Sequence, residues 1–332
     1  MNFLLVAFAI DLPKDVTSAP CTASLTDVEM DLPGYNYKQK FKDSDVKALA
    51  KALKGSKKPL ILCGHGVIIS KATKEVKKLA ETLGAPVVST ILGMGAFPET
   101  HELSLGFLGM HGTAYANMAV TNCDLIFSIG SRWDDRITPA KIEKFCPTAK
   151  KLHIDIDPAE MNKILVPDAS VVGDAKEVVT KLLDYVEPLQ TKEWLKEVKS
   201  NKKKYPLSYK IHGGLKAQHV IDEMYKLTKG NAIVTTDVGQ HQMWASQFYQ
   251  FDKPDRWITS GGAGTMGFGF PAAIGAQFGK PKDTVVAVVG DGGFQMTFFE
   301  LSTAVIHKLP IKILVIDNKY LGMVRQWQEL FY

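Results

Sequence analysis

Two polar turns near the end of this 332-residue chain hold the residues best suited to chemistry. Gly290-Asp291-Gly292 follows the apolar run 285–289, and Asp317-Asn318 follows a second apolar run, 311–316. Both runs are short and rich in Val and Ile, with about one helix length between them, as in a parallel βαβ unit. Strands joined in that way end on one edge of their sheet, where open α/β folds bind ligands. Asp291 and the side-chain carbonyl of Asn318 are hard oxygen ligands of the kind Mg²⁺ takes. That ion wants about six oxygens and usually keeps substrate phosphates among them. The flanking glycines let a diphosphate approach the backbone. Either turn alone reads as an ordinary strand end, whereas two at the ends of neighbouring strands point to a metal–diphosphate site.

Other elements must complete such a site. The run 232–236 ends at Asp237-Val238-Gly239-Gln240-His241, which opens a helix. The first N–H groups of a helix have no internal partners and favour an anion. His241 could equally be a surface cap residue. Gly262-Ala263-Gly264-Thr265-Met266-Gly267 spells G-x-G-x-x-G. A nicotinamide dinucleotide site is disfavoured there, because 256–260 is a weak strand and no acidic residue ends a following strand at the expected distance. Met266 could be core filler, and Trp327, on a helix, could be core as well.

Residues 41–188 repeat the alternation in a second unit. A helix with Val46, Leu49, Ala50 and Leu53 on one face ends near Gly55. Strands follow at 59–63, 86–89, 125–129, 151–156 and 170–172, with helices at 71–83 and 175–186. This alternation predicts a parallel sheet covered on both faces. Polar residues cluster after these strands, at Gly64–Gly66, Met110–Gly112, Gly130–Arg136, Asp155–Asp157 and Gly173-Asp174. A dinucleotide needs such an edge, with backbone N–H and Arg for phosphates and carboxylates for ribose hydroxyls. Each turn taken singly could be a loop without a ligand.

The remaining segments are less informative. Stretch 187–210 is charged, with a short helix expected at 192–200 and then the run Lys202-Lys203-Lys204, and reads as a solvated connection. Residues 10–40 show little periodicity and several prolines, as in a tail and linker. The opening 3–10 reads as a buried strand; it lacks the positive start and the length of a signal peptide. A net charge of +5 with mixed signs does not argue for nucleic acid, and no apolar run approaches membrane-spanning length. The four cysteines have no metal-type spacing and read as reduced thiols of a cytoplasmic protein.

The G-D-G turn, the Asn at this spacing and the run D-N-K-Y-L-G-M-V-R-Q-W-Q-E-L-F-Y together resemble the thiamine diphosphate (ThDP) enzymes, specifically the acetolactate synthase large-subunit family. G-S-R-W-D-D-R followed by H-I-D-I-D-P resembles the FAD-binding middle domain of the same family. The resemblance implies an α/β fold of two doubly wound parallel-sheet domains. Residues 1–40 would be the remnant of an N-terminal domain and a linker, 41–188 the flavin-binding middle domain, 189–211 a linker and 212–332 the ThDP-binding domain. It implies Mg²⁺ held by the Asp291 and Asn318 side chains and the Tyr320 backbone carbonyl. Gly239, Gln240, His241, Gly264, Gly290, Gly292 and Gly293 would contact ThDP, and Met266 would wedge that cofactor into a bent shape. Arg132, Asp155 and Asp174 would contact a largely structural FAD, with Gly64, Gly66, Met110 and His111. Trp327 would shape the acceptor pocket, while Met323 and Lys14 would line the substrate channel.

The implied reaction is decarboxylation of pyruvate and transfer of its hydroxyethyl unit to pyruvate or 2-ketobutyrate, the opening of branched-chain amino acid synthesis. A homodimer or tetramer is implied, with a regulatory small subunit as a further partner. The family's catalytic glutamate lies in a preceding pyrimidine-binding domain, so the 332-residue chain alone is expected to be inactive, as an internal piece of a longer enzyme. A pyruvate oxidase or glyoxylate carboligase type of enzyme, or an inactive cofactor-binding remnant, are the alternatives.

Overall fold

A computed structural model of the chain describes residues 13–20, 22, 40–139, 141–211 and 213–332. Contacts divide the chain into two units, 1–40 and 41–332. Within the first, the described structure is one short helix, α1 (Lys14–Ser18), with no buried residue. The strand expected at 3–10, like Cys21, lies outside the described residues.

The second unit contains two parallel sheets. In chain order its first half runs α2 (Asp43–Leu53), β1 (Pro59–Cys63), α3 (His65–Ile69), α4 (Thr73–Leu83), β2 (Val87–Ser89), β3 (Ser104–Phe107), α5 (Ala114–Asn122), β4 (Leu125–Ile129), β5 (Lys150–Asp155), β6 (Ala169–Val172), α6 (Ala175–Leu182) and α7 (Lys192–Lys204). The second half runs α8 (Ala217–Thr228), β7 (Ile233–Thr236), α9 (Gln240–Phe248), β8 (Trp257–Thr259), α10 (Gly269–Gly279), β9 (Val285–Gly290), α11 (Asp291–Thr297), α12 (Leu301–Ile306), β10 (Lys312–Ile316) and α13 (Gly322–Phe331).

The first sheet has the order β3-β2-β1-β4-β5-β6, every pair parallel. Its central strands β1 and β4 are buried along their whole length, so they read in sequence as continuous apolar runs. Side-chain alternation sends Ile61, Phe127 and Ile154 into a core with α2, α4 and α6, and sends Leu60, Leu62 and Ile126 into a second core. Helices α2 and α4 each bury four residues at i, i+3, i+4 and i+7: Val46, Leu49, Ala50 and Leu53 in one, Val76, Leu79, Ala80 and Leu83 in the other. Gly84, at φ +60°, ends α4 in the left-handed conformation that suits glycine.

The charged stretch 187–210 is not open chain. Helix α7 fills most of it, and Trp194 and Val198, one turn apart, are buried in the second core of this sheet. The Trp194 indole donates to the Pro59 carbonyl at 2.9 Å. Its lysine run forms the last helical turn, where positive charge suits the helix dipole. Lys202 donates to the Ser104 carbonyl at 3.1 Å.

The second sheet has the order β10-β9-β7-β8, again all parallel. One face packs on α8 and α9 through Val234, Val286 and Val288, the other on α10 through Ile233, Val285, Ala287 and Val289. The crossover between β9 and β10, expected as one helix, is broken by a 3₁₀ turn at Phe298–Glu300. The halves of the unit are stitched at 91–100 and 251–257. The Glu99 N–H donates to the Phe251 carbonyl, the Phe251 N–H to the Glu99 carboxylate, and the Trp257 indole to the Ile91 carbonyl. Among the described residues no helix is long and apolar enough to cross a membrane.

Candidate functional site

In the second sheet the chain goes from β7 outward to β8 and then back across β7 to β9. The direction of winding therefore reverses between β7 and β9, the place where open α/β sheets bind ligands beyond the strand ends. Asp237–Gly239 leave β7 there and open α9, and Gly290 leaves β9 and opens α11. Strand β10 runs beside β9 with Ile316 paired to Gly290, so Asp291 and Asp317-Asn318 leave the same edge from adjacent strands.

One buried carboxylate organises the turns. Asp237 is fully buried; its Oδ1 accepts from His241 Nε2 at 2.6 Å and its Oδ2 from the Gly267 N–H at 2.8 Å. A Cβ on Gly293 would overlap this same carboxylate, which explains the glycine there. Three turns, 237–241, 262–267 and 290–293, thus meet on Asp237. His241 is itself buried, not a surface cap, and its ring fills the space beside Gly239 and Gly290. A Cβ on either would come within 2.5 or 2.8 Å of ring atoms. Gly262, Gly264 and Gly267 all have positive φ, +67°, +68° and +80°, so the G-x-G-x-x-G motif buys backbone shape in a loop after the edge strand β8.

The third group joins Gln240, Asn318 and Gly322. Asn318 Nδ2 donates to Gln240 Oε1 at 3.0 Å, while its Oδ1 accepts from the Tyr320 N–H at 3.0 Å. A Cβ on Gly322 would strike Gln240 Oε1 and come within 2.7 Å of Asn318 Nδ2. Met266 is half-buried, not core filler: its Cε would lie 3.5 Å from a Cβ on Gly292, and a Leu321 methyl would lie 3.6 Å from the same Cβ. Glycine-lined backbone, two helix N-termini and hard oxygen donors suit a diphosphate with Mg²⁺. No group of three or more His, Cys, Asp or Glu is placed to hold a metal among the described residues, so any metal here relies on Asn and backbone oxygens beside Asp291.

Helix α13 carries Met323 and Trp327 but buries no residue. Trp327 is 40% exposed with its ring 4.8 Å from Phe331, so it is not core, and it stands away from the Gln240–Asn318 contact, roughly 7.5 Å along the helix from Gly322. Lys14 lies on α1 in the other unit and is exposed.

In the first sheet the winding reverses between β1 and β4. There the Gly66 N–H donates to the Gly130 carbonyl at 3.1 Å. A Cβ on Gly66 would fall 2.7 Å from Gly130 Cα, and Gly130 has φ +62°. Gly64 meets the same carbonyl. Arg132 projects from this turn, exposed, with Nη2 3.4 Å from Asp134. Asp155 ends β5 and Asp174 follows β6, so the edge from Gly64 to Asp174 spans three strand spacings, about 14 Å, a length that suits a dinucleotide. Asp155 is 7% exposed, and burial pushes its carboxyl up, while its Oδ1 accepts from the Asp157 N–H. Asp174 Oδ1 caps α6, accepting from the N–H groups of Lys176 and Glu177.

Met110 and His111 lie beyond β3, on the other side of the crevice. Met110 is exposed; the His111 carbonyl accepts from Gln247 of α9, and its Nε2 is buried without a partner, with burial pushing the ring pKa down. A second orphan, Ser131 Oγ, lies beside the Gly64–Gly130 contact. Orphaned polar atoms at a glycine-lined switch point fit a polar dinucleotide. Asp237, Gly130 and Gly322 were given no individual role by the sequence, although Asp237 and Gly130 stood within its polar turns. Only Asp237 carried a signal, an Asp four residues before His241. A cavity of about 350 Å³ lies apart from all of this, near the opposite end of β1, lined by Leu53, Lys57 and Tyr185.

Two stretches of the chain match known protein families. The family described as thiamine pyrophosphate enzyme, central domain, matches residues 46–182, and the C-terminal TPP binding domain of such enzymes matches 237–332. The chain is 43% identical to the acetolactate synthase isozyme 3 large subunit of Escherichia coli K12, covering 97% of this chain and 58% of that protein. It is 43% identical to acetolactate synthase of Mycobacterium bovis, covering 98% and 54%, and 44% identical to the probable acetolactate synthase large subunit of Methanocaldococcus jannaschii, covering 97% and 56%. The chain thus spans little more than half the length of these curated relatives.

Proposed function

Because this chain belongs to the thiamine pyrophosphate enzyme family and aligns with acetolactate synthase large subunits, we propose that it forms the flavin- and ThDP-binding part of an acetolactate synthase. The whole protein would decarboxylate pyruvate and transfer the hydroxyethyl unit to pyruvate or 2-ketobutyrate, opening branched-chain amino acid synthesis. The observation that carries this reading is the convergence of the 237–241, 290–293 and 317–322 turns at one sheet edge, with Gln240 hydrogen-bonded to Asn318.

In this reading Asp291, Asn318 Oδ1 and the Tyr320 carbonyl hold Mg²⁺. Gln240, His241 and the N–H groups opening α9 and α11 hold the diphosphate, with Gly239, Gly264, Gly290, Gly292 and Gly293 admitting it to the backbone. Met266, above Gly292, supports the bend of the cofactor. Bound there, ThDP supplies the carbanion chemistry that decarboxylation of a 2-ketoacid requires. The residues of the chain orient and neutralise. Trp327 and Met323 on α13 would shape the ketoacid pocket of the whole enzyme, and Lys14 keeps only the channel role that the family resemblance implies.

FAD would lie across the edge from Gly64 and Gly66 through Arg132 to Asp155 and Asp174, with Met110 and His111 on the far side. We assign 41–188 to the flavin domain, 189–211 to the connection and 212–332 to the ThDP domain. A homo-oligomer, a regulatory small subunit and a cytoplasmic location complete the proposal. Titration with ThDP, with and without Mg²⁺, tests it. Saturable Mg²⁺-dependent binding by the wild type, lost in Asp291→Ala, supports the assignment, and equal binding by both would overturn it.

A further inference from the structure

Beneath the Gly130–Arg132 turn lies a buried polar group that the reading above does not use. His153, on β5, is fully buried, and its Nε2–H donates to the Ser131 carbonyl at 2.8 Å. Ser128, also fully buried, donates its hydroxyl to the same carbonyl at 3.3 Å. The imidazole packs edge-on to Trp133 with ring centres 5.7 Å apart, and its Nε2 also lies 3.8 Å from an Asp155 carboxylate oxygen. Burial pushes its pKa down against the pull of the Asp155 charge, and the Ser131 carbonyl, which can only accept, places a proton on Nε2. The other nitrogen, Nδ1, has no partner in the chain. A buried imidazole with one unsatisfied nitrogen costs stability that an apolar side chain of similar size would not.

That cost falls where the turn needs support. Gly130 is left-handed at φ +62°, and Ser131 is the single residue between it and the exposed Arg132. The Gly130 N–H is tied to the Ile154 carbonyl at 2.8 Å and its carbonyl to the Gly66 N–H at 3.1 Å. Among the described residues, the Ser131 peptide is anchored from below by His153 and Ser128. Adjacent strands carry the two donors in register, since Ser128 of β4 pairs with His153 of β5.

We propose that His153 is a positioning residue of the dinucleotide cleft: its bond to the Ser131 carbonyl holds the Gly130–Arg132 turn in the form that presents Arg132 and the turn to a flavin dinucleotide. The inference rests on the flavin reading above. It predicts that a side chain which donates at the Nε2 position preserves FAD affinity, while one that only fills the space does not.

The test is FAD titration of the 332-residue chain, followed by flavin fluorescence, for the wild type, His153→Phe and His153→Gln, with amide hydrogen exchange at 130–132 measured on the flavin-free proteins. His153→Phe is expected to weaken FAD binding about tenfold, as loss of one well-placed hydrogen bond allows, and to speed exchange at 130–132. His153→Gln, whose amide reaches the same carbonyl, is expected to restore both to within about threefold of the wild type. FAD affinity and exchange unchanged in His153→Phe would overturn the inference while leaving the flavin site in place. Equal loss in both variants would reduce His153 to a packing role and overturn it as well. A wild-type chain that does not bind FAD would overturn the flavin reading, while unchanged exchange in His153→Phe would then still refute the positioning role.

Discussion

Gly322→Ala separates ligand positioning from folding more cleanly than any other single change at the proposed ThDP site. The added Cβ would strike Gln240 Oε1 and sit 2.7 Å from Asn318 Nδ2. Ordinary carbon–oxygen contact begins near ~3.3 Å, so the Gln240 carbonyl must retreat by on the order of 1 Å. Both atoms are ends of flexible side chains, so they can move without disturbing the backbone. Gly322 also begins α13, a helix with no buried residue, and Ala is a better helix former by up to about 1 kcal/mol. Stability should therefore hold or rise slightly. The 3.0 Å bond between Gln240 and Asn318 is lost, worth about 0.5–1.5 kcal/mol, and two proposed ligands are displaced together. Calorimetric titration with ThDP at fixed Mg²⁺ should show affinity about tenfold weaker, with Tm within about 2 °C of the wild type. Unchanged affinity would refute the claim that these two side chains act as one ligand set.

Other consequences follow from the same geometry. Asp237→Ala leaves the Gly267 N–H and His241 Nε2 without their buried acceptor, and thermal unfolding should report a loss of about 2–4 kcal/mol, with Asp237→Asn milder. Gly130→Ala, at φ +62° and with a Cβ 2.6 Å from Gly66 Cα, should cost more than about 2 kcal/mol, because backbone must give way; a variant as stable as the wild type would contradict the close approach. Burial pushes the Glu99 carboxyl up to about 8. Raised above its unfolded value, this group favours the folded state in its protonated form, so its contribution is full below about pH 4 and disappears as pH rises through 8. Tm should fall between about pH 5 and 8 and level off above, and Glu99→Gln, which can still accept from the Phe251 N–H, should flatten that slope.

Much of this arrangement was legible in the sequence, for definite physical reasons. The runs 285–289 and 311–316 announced parallel strands through their Val and Ile content, although only β9 is buried throughout and β10 is an edge strand of the described sheet with Val315 40% exposed. Pairing of Ile316 with Gly290 then places their polar ends together. The helix at 43–53 was legible from its four-residue stripe, all of it buried. Strand β3 was not, because it is a short edge strand containing Gly106 at φ +72°, and α5 was hidden by its many small residues. Stretch 187–210 misled because charge dominates its composition, although Trp194 and Val198 mark a buried face. The role of Asp237 was missed for a related reason. A carboxylate after a strand reads as a solvated turn, and its burial depends on glycines about 30 and 56 residues away.

The central claim is that Asp291, Asn318 and Tyr320 hold one metal ion for a diphosphate. Anomalous diffraction from crystals grown with Mn²⁺ and ThDP measures this directly. A single strong peak is expected about 2.1 Å from an Asp291 carboxylate oxygen, Asn318 Oδ1 and the Tyr320 carbonyl together. A manganese peak elsewhere, with ThDP ordered but these three oxygens out of reach, would contradict it.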